Sequence, residues 1–128
     1  MPDIRPILTI RKEQMDALDR GSLEEWMVGH LNTHFPLHCQ SLGLGGVRQA
    51  VRNAVEEALR RGFASRRDQA HFVDLCFLLG PDFHSNPRYG WAGRILVDSA
   101  TPNPRHRMDR LYAAAIDYLR TLAAAGIP

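Results

Sequence analysis

One run constrains the fold of this chain more than any other: "RDQAHFVDLCFLLG", Arg67 to Gly80. From Phe72 onward, Val73, Leu75, Cys76, Phe77, Leu78 and Leu79 place apolar side chains on almost every side of a helix. A helix without a polar face needs neighbours on several sides, so this one belongs at the centre of a bundle. Ser65, three residues before Asp68, marks its start, and Gly80 followed by Pro81 marks its end. The expectation is an all-α, compact single-domain bundle of about five helices around a central buried helix near 66–79.

The rest of the chain supplies the neighbours. After an irregular segment over 1–10, helical spacing runs from Arg11 to Phe35 through Met15, Leu18, Leu23, Trp26, Met27, His30, Leu31 and His34. One long helix is expected, with Gly21 a place for it to bend, although Ser22 with Glu25 has the form of a capping box that could open a second segment. Pro36 stops it. "PLHCQSLGLGG" is expected to be a connector with a short helical turn over 37–42. In "VRQAVRNAVEEALRRGF", Val47, Ala50, Val51, Ala54, Val55, Ala58 and Leu59 form an apolar stripe opposite Arg48, Arg52, Glu56 and Arg60, with Gly62 as the C-terminal cap. "PRYGWAGRILVDS" predicts a short helix with Trp91, Ile95 and Leu96 inward. Asn103 and Pro104 open a last helix that buries Met108, Leu111, Tyr112, Ala115, Ile116, Leu119 and Leu122 and ends at Gly126. No β-type alternation or internal repeat occurs, and 11–126 is expected to form one helical domain.

Several function classes are disfavoured by composition. A chain of 128 residues with 45% hydrophobic and 23% charged content can bury one core. The formal net charge is +2, and the arginines are dispersed among acids, so the basic field of a nucleic-acid binder is missing. Cys39 and Cys76 lack the spacing of a metal knuckle. "MPDIRPILTI" lacks the layout of a signal peptide, and no apolar run approaches the roughly 20 residues of a membrane span. A cytoplasmic protein is expected.

Chemistry-bearing clusters are few. His30 and His34 share a helical face, with His38, Cys39 and, from a distant loop, Asp82 as further donors for a metal-dependent enzyme. Against this, Pro36 interrupts the face and no glutamate stands between the histidines as in HExxH. Half-buried packing histidines near a helix end, where the dipole would favour the protonated form, are the simpler reading. Gly43, Gly45 and Gly46 are not a phosphate loop, since no strand precedes them and no Gly-Lys-Ser/Thr follows. In "LLGPDFHSNPRYGWA", Asp82, His84, Ser85 and Asn86 are better explained by turn chemistry than by catalysis. Phe83 and Trp91 are expected to pin this corner to the core. His84 and Tyr89 are its members most free to face a partner, so His84→Ala should leave stability nearly unchanged. Arg60–Arg61 and Arg66–Arg67 form a modest basic patch, at best a docking point for an acidic partner. No catalytic, cofactor-binding or metal-binding residue is assigned.

The stretch "SRRDQAHFVDLCFLLGPDFHSNPRYGWAGRIL…RMDRLYAAAIDYL", with "HFP" at His34–Pro36 upstream, resembles small all-helical bacterial proteins encoded beside type VI secretion genes. Leu79–Phe83, Trp91–Ala92 and Arg107–Tyr112 carry the likeness, while His84 departs from it, an acidic residue being common there. These proteins accompany effector-loading chaperones, PAAR-repeat spike tips and toxic effectors. The resemblance implies a non-enzymatic adaptor or co-chaperone whose partner is a secreted effector, its chaperone or both. His84, Tyr89, Arg66 and Arg67 are the candidate partner-binding residues. The alternatives are an immunity protein that neutralises a cognate toxin and the metal-dependent enzyme built on His30 and His34.

Overall fold

The structure, a computed structural model, describes residues 20–126. Five α-helices make up most of it: α1 (Arg20–His34), α2 (Pro36–Arg60), α3 (Arg66–Leu79), α4 (Gly90–Leu96) and α5 (Pro104–Ala124), with a 3-10 turn at Pro87–Tyr89 before α4. No strand occurs among the described residues. The segment expected to be irregular over 1–10 and the first part of the helix expected from Arg11 lie outside them.

α3 is the central helix that its composition demands. Every residue from Asp68 to Phe77 is buried, as is Leu79. It packs against α1, α2 and α5, and α4 packs on α5. Its own fully buried Phe72 and Leu75 meet Met27 and Leu31 of α1, Val47 of α2, Met108 and Leu111 of α5, and Phe63 and Phe83 of the adjoining turns in one core. Burying a side chain of this kind contributes roughly 1.5–3 kcal/mol, so the core depends on α3 being enclosed on several sides.

The helix ends follow local chemistry. The Ser65 hydroxyl accepts from the Asp68 amide at 3.1 Å, and the Asn103 side chain accepts from the amides of Arg105 and His106 at 3.0 and 3.3 Å. After α2, Gly62 takes φ +91°, which lets the Phe63 amide reach back to the Ala58 carbonyl at 2.9 Å. Gln69, itself buried, donates to the carbonyls of Phe63 and Ala64 at 3.1 and 3.2 Å, so the α2–α3 turn is satisfied from inside α3.

One expectation is corrected. The stretch 36–46 is not a connector: Pro36 opens α2, where its missing amide costs nothing, and the helix passes a kink at Gly43 with φ +74° and ψ 165°. The glycines that look like a loop allow two helical segments to be joined at an angle. In α1, Gly21 and Ser22 are already helical, and Glu25 pairs with Arg48. α1 ends at His34 because Phe35, preceding Pro36, is held out of the helical region at φ −131°.

Candidate functional site

The kink in α2 creates the first candidate. After the kink, Gly46, Ala50 and Ala54 recur every four residues and share one face of the helix, and Leu42 joins them from before it. The small side chains of Gly46, Ala50 and Ala54 leave a groove against Cys76, Phe77 and Pro81, with a volume of about 290 Å³. A Cβ at Gly46 would lie 3.1 Å from the Leu42 Cβ, so a larger residue there would push Leu42 aside by a few tenths of an ångström. Beside the kink, Leu37, Leu42 and Leu44 are 79%, 41% and 60% exposed. Exposed leucines next to an apolar trough are the kind of surface that takes up a partner.

The edge of the groove carries His38, Asn53 and Glu57. The Glu57 carboxylate is faced by Arg61 Nε at 3.4 Å, Arg60 Nη1 at 3.8 Å and His84 Nε2 at 3.8 Å. Its charge is therefore already met from the protein's own side. Cys76 is not a reactive thiol in the wall, because burial, reinforced by Glu57, pushes it up to about 12. Burial also raises Cys39.

The second candidate is polar and lies deeper. Asp74, fully buried on α3, has Oδ1 3.0 Å from His30 Nε2 on α1 and accepts the Tyr112 hydroxyl of α5 on Oδ2 at 3.1 Å. Burial raises the Asp74 carboxyl, while the bonds from His30 and Tyr112 work against that shift. Burial and the neighbouring carboxylate raise Tyr112. The His30 ring stacks on Trp26 at 4.7 Å and meets His34 at 4.6 Å. His34 is half-buried, and burial followed by repulsion from His30 lowers it, opposite to the direction expected from the helix dipole.

A carboxylate–imidazole pair is part of a general-base arrangement, but the pair also needs a group to act on. The shallow depression beside it is formed by Glu25, Trp26, Gly29, His30, Thr33 and His34. Its hydroxyl, Thr33, donates to the Gly29 carbonyl at 2.9 Å. Among the described residues no three His, Cys, Asp or Glu side chains are grouped to hold a metal ion. His38 lies instead with its ring 5.0 Å from Phe77 at the groove, and Asp82 accepts from the side chain of Asn86 at 3.4 Å in the corner loop. The histidines and Asp82 are thus divided among three places. The Asp74 cluster ties α1, α3 and α5 together.

The residues expected to meet a partner are placed differently from expectation. Tyr89 is buried, its ring 6.2 Å from Trp91 and 5.6 Å from Tyr118. His84 has a side chain only 14% exposed, packed edge-on to Phe83 at 5.6 Å and over Phe72 at 6.0 Å, with Nδ1 3.2 Å from Arg61 Nη2. Neither is free to face a partner: His84 is packed on Phe83 and on Phe72 of α3, and Tyr89 on Trp91 of α4 and Tyr118 of α5. Arg66 donates to Gln69 Oε1 at 2.6 Å, and Arg67 pairs with Asp68 and Asp109 at 3.1 and 2.8 Å. The arginines of the supposed basic patch are therefore engaged at home. Sequence inspection misses Asp74, whose signal is a carboxylate inside an otherwise apolar run, and the groove, whose signal is the small-residue stripe on α2.

Fold and site together define an all-helical domain with an apolar interhelical groove and a buried polar tie. No protein-family model matches the chain, and no curated protein or solved structure is significantly similar to it.

Proposed function

We propose that this protein is a non-enzymatic binding module that takes the apolar face of a partner's amphipathic helix into the α2–α3 groove. The carrying observation is an apolar trough of about 290 Å³ lined by Leu42, itself 41% exposed, with the exposed Leu37 and Leu44 close to it in sequence on either side of the kink. A trough between two helices, floored by Gly46, Ala50 and Ala54, suits a third helix packing ridge into groove. Charge narrows the occupant further. The groove's carboxylate, Glu57, is already faced by Arg60, Arg61 and His84, so the complementary surface is an uncharged apolar ridge. The resemblance of Ser65–Leu119 to small proteins of type VI secretion loci supports the particular role of adaptor or co-chaperone in effector loading.

The test is direct binding to the purified effector and chaperone encoded at the same locus. Binding by calorimetry, weakened at least tenfold by Leu42→Ser with Leu44→Ser at an unchanged melting temperature, is the expected result. Full affinity in that double variant would remove the groove from the proposal, and no binding to either product would remove the adaptor role. Protection of cells that express the toxin alone would instead favour an immunity protein.

A further inference from the structure

His71 is the least explained polar group in the fold. Its side chain is buried on α3, and among the described residues neither Nδ1 nor Nε2 has a hydrogen-bond partner. The ring lies 4.2 Å from that of Tyr112 on α5. Tyr112 in turn donates to Asp74, and Asp74 is bonded to His30, so a continuous chain of contacts runs from α5 through α3 to α1. The titratable and charged groups acting on this chain from outside it are His34 from α1, Arg67 from α3 and Asp109 from α5, with His30, Asp74 and Tyr112 linked to one another, and His30 also acting on His71, within it.

An imidazolium carries two donors and needs an acceptor for each. None lies within reach of His71, and the Asp74 oxygens already serve His30 and Tyr112. A proton can therefore be taken up only if the ring leaves its site. Because the Tyr112 ring rests on His71, that departure disturbs the hydroxyl bond that ties α5 to Asp74.

We propose that His71 is an acid-release latch: its protonation expels the ring from between α3 and α5, breaks the Tyr112–Asp74 bond and undocks α5 from the central helix.

Burial, followed by repulsion from Arg67, pushes His71 down to about 3, with Asp109 opposing. A histidine lowered in the folded state stabilises that state fully above its ordinary value of 6.5, and the contribution is lost as pH falls from 6.5 toward 3. Within that window the opening equilibrium gains about tenfold per pH unit, or about thirtyfold at pH 5 relative to neutral pH. Asp68 and Asp74 are both raised by burial and act in the opposite sense, their contribution being lost as pH rises.

The experiment combines a histidine NMR titration of the full chain with hydrogen exchange of the α5 amides, corrected for intrinsic rates, between pH 7.5 and 4.5. The expected result is a His71 resonance that does not titrate in the folded protein, with α5 opening that rises steeply below pH 6.5. His71→Phe should flatten that rise. Tyr112→Phe should raise opening at every pH with the same slope. A His71 that titrates in place near 6.5 would overturn the latch even if no variant folds. An unchanged slope in His71→Phe, or a flat profile in Tyr112→Phe, would overturn it as well, by assigning the pH dependence elsewhere.

Discussion

Replacing Phe83 by alanine tests whether the Gly-Pro-Asp-Phe corner is architecture. The Phe83 ring has no solvent exposure and sits 5.1 Å from Phe72, itself fully buried on α3. The corner's backbone bond from the Phe83 amide to the Gly80 carbonyl, at 3.2 Å, does not depend on the side chain. The loss is therefore confined to transfer free energy, the aromatic pairings and the void left against α3. Together these amount to about 3–5 kcal/mol for a fully buried phenylalanine. With a urea m-value of about 1.5 kcal/mol per molar, the unfolding midpoint should fall by roughly 2–3 M at unchanged slope. The matching control is His84→Ala. Sequence alone predicts almost no effect, but the packed position of His84 against Phe72 and Phe83 and its contact with Arg61 raise the expected cost to about 1 kcal/mol. A Phe83→Ala cost below 1 kcal/mol, or a larger cost for His84→Ala, would refute the architectural role of the corner.

Gly80 has φ +115°, a region that L side chains rarely adopt, so Gly80→Ala should lower stability by about 1–2 kcal/mol in thermal melts. Ser65→Ala removes the cap of α3 and should cost about 1 kcal/mol by the same assay. Tyr112→Phe takes one donor from a buried carboxylate, at an expected cost of about 1.5–3 kcal/mol, and a double-mutant cycle with Asp74→Asn should reveal coupling between the two sites. Cys39 and Cys76 are buried with raised thiol values, so both should resist a disulfide reagent at pH 8 in the native protein and react promptly once it is unfolded.

Much of the fold is legible because helix signals are local. The all-round apolar run from Phe72, the Ser65 cap, the Asn103–Pro104 start and Gly62 each act within a turn of their own position. Where local signals conflict, the sequence misleads. Pro36 and the glycines at 43, 45 and 46 suggest a connector, yet a proline is tolerated at a helix start and a single glycine at φ +74° joins two helical segments. The candidate site is less legible still. His30 and Asp74 stand 44 residues apart, and Asp74 and Tyr112 stand 38 apart, so no spacing rule could pair them.

The sequence by itself determined that this chain is helical, that 66–79 is its centre and that Phe83 turns inward, because periodicity, caps and side-chain apolarity are properties of neighbouring residues. Only the tertiary structure decided which polar groups are free. It buries Tyr89, encloses His84, pairs Arg67 with Asp109 and leaves the His71 nitrogens unsatisfied. It also opens the groove beneath Leu42. Exposure and hydrogen-bond satisfaction depend on what distant segments bring to the same place, and helix–helix packing sets that.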